Sequence, residues 1–165
     1  MGEERELTLR PIGRVVRGRP WSERGCPGQG GRGEEETAEI EIDPAWAEAL
    51  HGIEGFSHIW VVWWLDRFDY PPTSLRVRPE GRQEMPLVGL FATRSPHRPC
   101  PIAITAVRLL EHQGTRLSVR GLDASVDTPI FDIKPYLRRG DLIPDAKMPN
   151  WLEQLWNIHD EEREE

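Results

Sequence analysis

Arg94 and Arg98 are set four residues apart in the stretch Leu90–Pro101, LFATRSPHRPCP, with His97 between them and Pro96 and Pro99 interleaved. The prolines remove backbone donors and forbid an ordinary helix, so a stiff turn presents both guanidinium groups. Planar cations on a rigid loop suit an anion or a carboxylate, which they can grip through parallel N–H donors. The same residues also read as a Pro-rich surface turn with solvated arginines. A second group lies in Asp123–Tyr136, DASVDTPIFDIKPY, which holds Asp123, Asp127, Asp132 and Lys134, one of only two lysines in the chain. Asp132 alternates with Phe131 and Ile133 as a strand residue does, and a carboxylate in a strand wall needs a partner. Lys134 shares its face. Asp132 and Lys134 can therefore neutralise one another on that face, with Tyr136 hydrogen-bonded at the rim of the sheet.

The elements that must carry these groups are mostly strands. Leu7–Val16 alternates loosely and predicts a first strand, and Thr37–Ile42 (TAEIEI) alternates with period two. Asp43 can cap a short helix over residues 44–50 with Pro44 in its first turn, placing Trp46 and Leu50 on one face. Ile59–Leu65 (IWVVWWL) is a continuous apolar run and predicts a strand buried on both sides, with its tryptophans in the core. Residues 75–77, 87–93, 102–110 and 116–121 supply further antiparallel strands, with Gly114 turning the last pair. Trp151–His159 has the apolar spacing of an amphipathic helix that Asn150 can cap. Its Trp151, Leu155 and Trp156 stripe would seal its own barrel or meet a second copy.

The segment Pro20–Gly33 is rich in glycine and proline and predicts an irregular loop. It lacks the strand–loop–helix context and the GxGxxG spacing of a nucleotide-binding fold. Cys26 and Cys100 are the only cysteines, without metal-ligand spacing and too few for a disulfide framework. At 165 residues and 38% apolar content the chain can bury one modest core. No apolar run approaches the length of a membrane span, and the acidic start MGEERE is unlike a signal peptide, so a cytoplasmic protein is expected. The net charge of −7 is concentrated in residues 3–6, 34–36 and 160–165, and the remainder carries +2, almost all of its positive charge as arginine. Arginine-rich surface suits phosphate contacts.

Four ordered blocks give the chain a family likeness: Pro11-Ile12-Gly13, Gly52–Trp60 (GIEGFSHIW), FATRSPHRP and TPIFDIKPY, with Pro144-Asp145-Ala146 as a weaker close. They resemble the small β-barrel, S-adenosyl-L-methionine-dependent tRNA methyltransferases known as TrmO or TsaA-like. The resemblance implies a mainly β fold: one antiparallel β-barrel domain over residues 1–150, interrupted by an irregular loop at 20–36, and a C-terminal helix with an acidic tail over 151–165. It implies a homodimer with S-adenosylmethionine as cofactor and tRNA as partner, and methylation of N6 of threonylcarbamoyladenosine at position 37.

Carried onto this chain, the family's cofactor positions fall on Pro27, Gly28, Gln29, Asp66, Arg67, Arg94, Ile104, Asp123, Ala124, Ser125 and Val126. Arg98 and His97 fall on the substrate side, and Asp132, Lys134 and Tyr136 on the catalytic one. Arg94 would hold the cofactor carboxylate, and the backbone of Asp123–Val126 would read its adenine. The chain departs from the pattern at Gly28, which replaces an arginine, at Asp66, which stands where a histidine is usual, and at Cys100, Ala103 and Asp127, the last in place of a glycine. These departures leave two alternatives open: a methyltransferase of the same fold acting on another acceptor, or a non-catalytic cofactor-binding module. The resemblance also brings the loops of Cys26 and Cys100 to one pocket, as a thiol pair or as two independent thiols.

Overall fold

The computed structural model describes residues 8–20, 36–68 and 71–164, and divides into two compact units. The first comprises Met1–Asp66 and Ile102–Tyr136, the second Arg67–Pro101 and Leu137–Glu165.

The first unit is a closed antiparallel barrel of six strands: β1 (Gly13–Arg17), β2 (Thr37–Ile42), β3 (His58–Trp64), β6 (Ile102–Gln113), β7 (Arg116–Arg120) and β8 (Pro129–Pro135), in the order β1-β2-β7-β6-β3-β8. Each strand has two neighbours, so the barrel has no open edge along its ladders. Residues pointing inward alternate with residues pointing outward. The interior is filled by Val15, Ile40, Ile42, Ile59, Val61, Val107, Leu117, Val119 and Ile130, all at most 1% exposed. Asp43 accepts a hydrogen bond from the Ala45 amide and starts a 3-10 helix over Pro44–Leu50, with Leu50 buried. Gly114, at φ +59, turns β6 into β7.

Several elements differ from the expectations. The first strand begins at Gly13 rather than at residue 7, because Pro11 has no donor for a ladder and only the Ile12 amide reaches across, to the Ile130 carbonyl. The run Ile59–Leu65 is buried on one face only: Ile59, Val61 and Trp63 point inward while Trp60, Val62 and Trp64 are half-buried on the outer wall. A barrel wall has one interior face, so a continuous apolar run there marks an outer surface that is itself partly covered or used. Trp46, expected beside Leu50, is 52% exposed.

The strands expected at 75–77 and 87–93 do not join the barrel. They are reduced to β4 (Arg76–Val77) and β5 (Val88–Gly89), which pair only with each other in the second unit. The barrel ladder is already closed without them, and a 3-10 turn at Leu90–Ala92 ends β5. This unit also holds α1 (Arg138–Asp141) and α2 (Asn150–Glu164), the latter longer than the expected helix by about a turn and a half of mainly acidic residues.

That extension is held by charge. Arg82 pairs with Glu162 at 2.6 Å, with Glu80 at 3.2 Å and with Glu84 at 3.4 Å, and the buried His159 meets Glu80 at 2.9 Å. Burial works against ionisation of Glu80, but hydrogen bonds from His159 and Arg82 outweigh it and hold the carboxyl below its ordinary range. Glu80 adopts a left-handed φ of +54 in the Pro79–Gly81 turn.

The seam between β1 and β8 is short, with Gly13 opposite Ile130 and Arg14 opposite Pro129, and Gly13 also faces Ile42 of β2. A Cβ at Gly13 would lie 2.3 Å from the Glu41 carbonyl oxygen and 3.0 Å from the Ile42 Cα, both backbone atoms. Gly13→Ala is expected to force β1 away from β2, beside the seam, at a cost of about 1–3 kcal/mol. Calorimetry should show a melting temperature lower by roughly 2–4 °C per kcal/mol; an unchanged value would mean the β1–β2 ladder has slack.

Candidate functional site

On the outer wall of the barrel, register places chemistry in rows. Val62 lies between Ile104 and Asp132, and Trp60 between Ala106 and Lys134. A bulge between Val62 and Trp63 pushes Phe131 out against Trp64, with ring centroids 5.8 Å apart. Lys134 Nζ lies 2.7 Å from Asp132 Oδ2, and Asp132 Oδ1 accepts the Ile133 amide at 2.9 Å. The Tyr136 ring packs on Trp60 at 5.6 Å and edge-on to His58 at 6.4 Å. His58 Nδ1 is 2.9 Å from the Ser57 hydroxyl, which sets the ring's orientation. Asp132, Lys134 and Tyr136 thus share one outward wall beside two aromatic rings. The ion pair between the first two is formed, and both remain substantially open to solvent, at 45% and 64% of side-chain exposure.

The loop Gly121–Thr128 joins β7 to β8 and is fixed from inside the barrel. The buried Trp63 indole donates to Thr105 Oγ1 at 3.0 Å, and that hydroxyl donates to Asp123 Oδ1 at 2.6 Å. Ala124, Ser125 and Thr128 are buried, so this segment offers a ligand its backbone more than its side chains. The Val126 amide is held by the Arg19 carbonyl at 3.0 Å and the Asp127 amide by Val15 at 2.8 Å. Asp127, where the resemblance led to an expectation of glycine, sits at a left-handed φ of +70, a conformation that costs most residues about 1–2 kcal/mol. Its carboxylate is 3.7 Å from Arg14, a solvent-exposed contact of little energetic weight.

In the second unit the arginine-bearing turn is stiffened by its own hydrogen bonds. Thr93 Oγ1 donates to the Leu90 carbonyl at 2.9 Å and accepts the Ser95 amide at 3.2 Å. Arg98 Nη1 donates to the Thr93 and Ser95 carbonyls, at 3.2 and 3.3 Å. Arg98, expected on the substrate side, therefore spends one nitrogen on holding its own loop. Arg94 is exposed, and among the described residues it meets no carboxylate. His97 packs edge-on against Phe68 at 5.4 Å.

Of the expected site residues, the barrel unit carries Asp66, Ile104, Asp123, Ala124, Ser125, Val126, Asp132, Lys134 and Tyr136, and the second unit carries Arg67, Arg94, His97 and Arg98. Asp66 and Arg67 are both exposed, and Ile104 is 47% exposed on the outer wall. Pro27, Gly28 and Gln29 lie outside the described residues, as does Cys26; Cys100 is an exposed free thiol. Two residues escaped the sequence reading. Thr105 is one hydroxyl in an apolar strand, and His159 one imidazole on a helix, and neither carries a spacing signal.

A family model for the tRNA-methyltransferase O N-terminal domain matches residues 16–142. An Archaeoglobus fulgidus protein named as a probable S-adenosyl-L-methionine-binding protein is 46% identical over 124 residues, covering 75% of this chain and 32% of that one. A Homo sapiens protein named tRNA (adenine(37)-N6)-methyltransferase is 36% identical over 93 residues, 56% of this chain and 21% of that one. The crystal structure of TrmO from Pseudomonas aeruginosa superimposes with a TM-score of 0.70 at 29% identity, over 89% of this chain and 62% of that one. The chain therefore spans about a third, a fifth and under two thirds of these three proteins.

Thr105→Val removes the hydroxyl that joins Trp63 to Asp123 while keeping the side chain's volume. It is expected to cost about 1–3 kcal/mol in denaturant unfolding and to speed amide exchange over residues 123–126. Thr105→Ser should restore both, and equal exchange in the valine variant would show that the loop is held by other means.

Proposed function

Because the chain belongs to the tRNA-methyltransferase O N-terminal domain family, we propose that it is an S-adenosylmethionine-dependent methyltransferase acting on N6 of threonylcarbamoyladenosine at position 37 of tRNA. The family match over residues 16–142 carries the reading. The outward row of Asp132, Lys134 and Tyr136 beside Trp60 supports it, since it offers a base, a cation and stacking surfaces on one wall.

The cofactor supplies a sulfonium methyl group. In this reading the backbone of Asp123–Val126 reads the adenine end, Ile104 gives it an apolar contact, and Arg94 grips the amino-acid carboxylate through parallel donors. Such transfer asks little of side chains beyond holding the acceptor nitrogen in line with the methyl and taking up a proton. Lys134 pairs with the carboxylate of the threonylcarbamoyl group and so orients N6. Asp132 would take up the proton that N6 loses, on the Oδ2 that already pairs with Lys134. Tyr136 and Trp60 present ring faces to the base. His97 and the remaining nitrogens of Arg98 contact the substrate backbone. Pro27, Gly28, Gln29, Asp66 and Arg67 complete the cofactor contacts, and the enzyme works in the cytoplasm as a homodimer. Among the described residues no helix is long and apolar enough to cross a membrane.

A second reading, the same chemistry on another acceptor, is favoured by one observation. Asp66 puts an exposed carboxylate where the family's usual residue is histidine, so the charge offered to a ligand is reversed.

The test is incubation with S-adenosylmethionine and a tRNA pool carrying threonylcarbamoyladenosine, followed by mass spectrometry of the nucleosides. A 14 Da increase on that nucleoside is expected, absent with Lys134→Ala. Cofactor binding without it would favour the second reading. Arg94→Ala should weaken cofactor binding by calorimetry about 10- to 100-fold, as loss of a charged hydrogen-bond pair does.

A further inference from the structure

The outer wall of the barrel carries a row of basic side chains that the reaction does not use. On β7, Arg120 lies directly opposite Arg108 of β6, and Arg108 lies directly opposite His58 of β3. Like charges directly across a ladder destabilise it, so folding alone would select a carboxylate at one of these places. The other end of the same strand shows that alternative. There Arg116 faces Glu41, pairing with it at 2.6 Å and reaching Glu39 at 3.7 Å, and Arg17 takes Glu39 at 2.6 Å.

At the Arg108–Arg120 end the described residues supply no such compensation. Among the described residues neither arginine meets a carboxylate, and the Arg120 Nε is buried without any hydrogen-bond partner. Glu36, whose carbonyl accepts the Gly121 amide, pairs with Arg19 at 3.0 Å, and Glu111, three residues from Arg108, accepts from Gln113 at 2.6 Å. The unpaired buried Nε is a cost that folding alone does not explain, and the uncompensated arginines across the ladder point to an anion.

The surroundings specify the kind of anion. The row continues through His58, whose ring packs against Tyr136, and Tyr136 in turn packs on Trp60, the neighbour of Lys134 across β3 and β8. Cations interleaved with ring faces are what a nucleic-acid strand requires, phosphates on the former and bases on the latter. We propose that Arg108 and Arg120 together clamp one backbone phosphodiester of the RNA substrate, with His58 continuing the contact toward the aromatic wall. This rests on the tRNA reading given above, and adds to it a docking site outside the residues that handle the methyl group. Paired guanidinium groups suit the two unesterified oxygens of such a phosphate.

The experiment is fluorescence anisotropy of an unmodified tRNA transcript with the full chain, across a salt series. Arg108→Ala/Arg120→Ala is expected to weaken binding about tenfold and to make the dependence of log affinity on log salt shallower by about one. Arg108→Lys/Arg120→Lys should recover the salt slope but only part of the affinity, since lysine is a point charge. Cofactor titration of all three proteins should agree. Unchanged affinity and slope in the alanine variant would overturn the proposal, as would arginine-dependent binding to anionic lipid vesicles but not to the transcript. Arginine-dependent tRNA binding by a chain that fails to take up S-adenosylmethionine would uphold the clamp and count against the methyltransferase reading alone.

Discussion

Closure of the barrel at the β1–β8 seam is the constraint on which the other features depend. Two register pairs join these strands, and Gly13, opposite Ile130 in the seam, also lies so close to β2 that a Cβ has no room. Once the seam is shut, alternation along every strand becomes obligatory, because each residue faces either a filled interior or the outside. Trp63 and Thr105 are thereby turned inward, while Trp60, Asp132 and Lys134 are turned outward. The apolar sequence of β3 then has two uses. Its inner residues pack the core, and its outer residues build an aromatic wall on which charged groups stand.

The same closure explains how an interior strand can shape a loop. Thr105 is a polar residue in a sealed apolar space, satisfied by accepting from Trp63 and donating to Asp123. The alternative to that chain of bonds is an unsatisfied buried hydroxyl, so the first residue of the Asp123–Val126 segment is tied to the core. The second unit uses a different device. Hydrogen bonds from Thr93 and Arg98 set the arginine turn, and the cluster of Arg82, Glu80, Glu162 and His159 holds the C-terminal helix to the Pro79–Gly81 turn.

The blocks around Gly13, Ile59–Leu65, Arg94 and Asp132 were legible in the sequence because each has a local signature: a glycine after Pro-Ile, a β-branched run, a proline-stiffened turn, a strand alternation. Thr37–Ile42 and the Asp43 cap were read to the residue, since period two and an N-cap are short-range rules. Other features depend on what lies across a ladder, which spacing along the chain does not encode. The half-buried Trp60 and Trp64 looked like core residues, and β4 and β5 looked like barrel strands, although the barrel closes without them. The Arg108–Arg120 pair, twelve residues apart in sequence, becomes a pair only through register. Arg98 has fewer donors to offer a ligand than its sequence suggests, because one nitrogen bonds the Thr93 and Ser95 carbonyls.

Asp123–Val126, the loop proposed to read the cofactor, is held by the barrel wall through Thr105 and Asp123. Hydrogen–deuterium exchange of the full chain, with and without saturating S-adenosylmethionine, tests it most directly. The account predicts that the cofactor slows exchange at residues 123–126, while the amides of β2 and β7, already deep in their ladders, stay as they were. Slowing confined to other segments, with residues 123–126 unchanged, would contradict it.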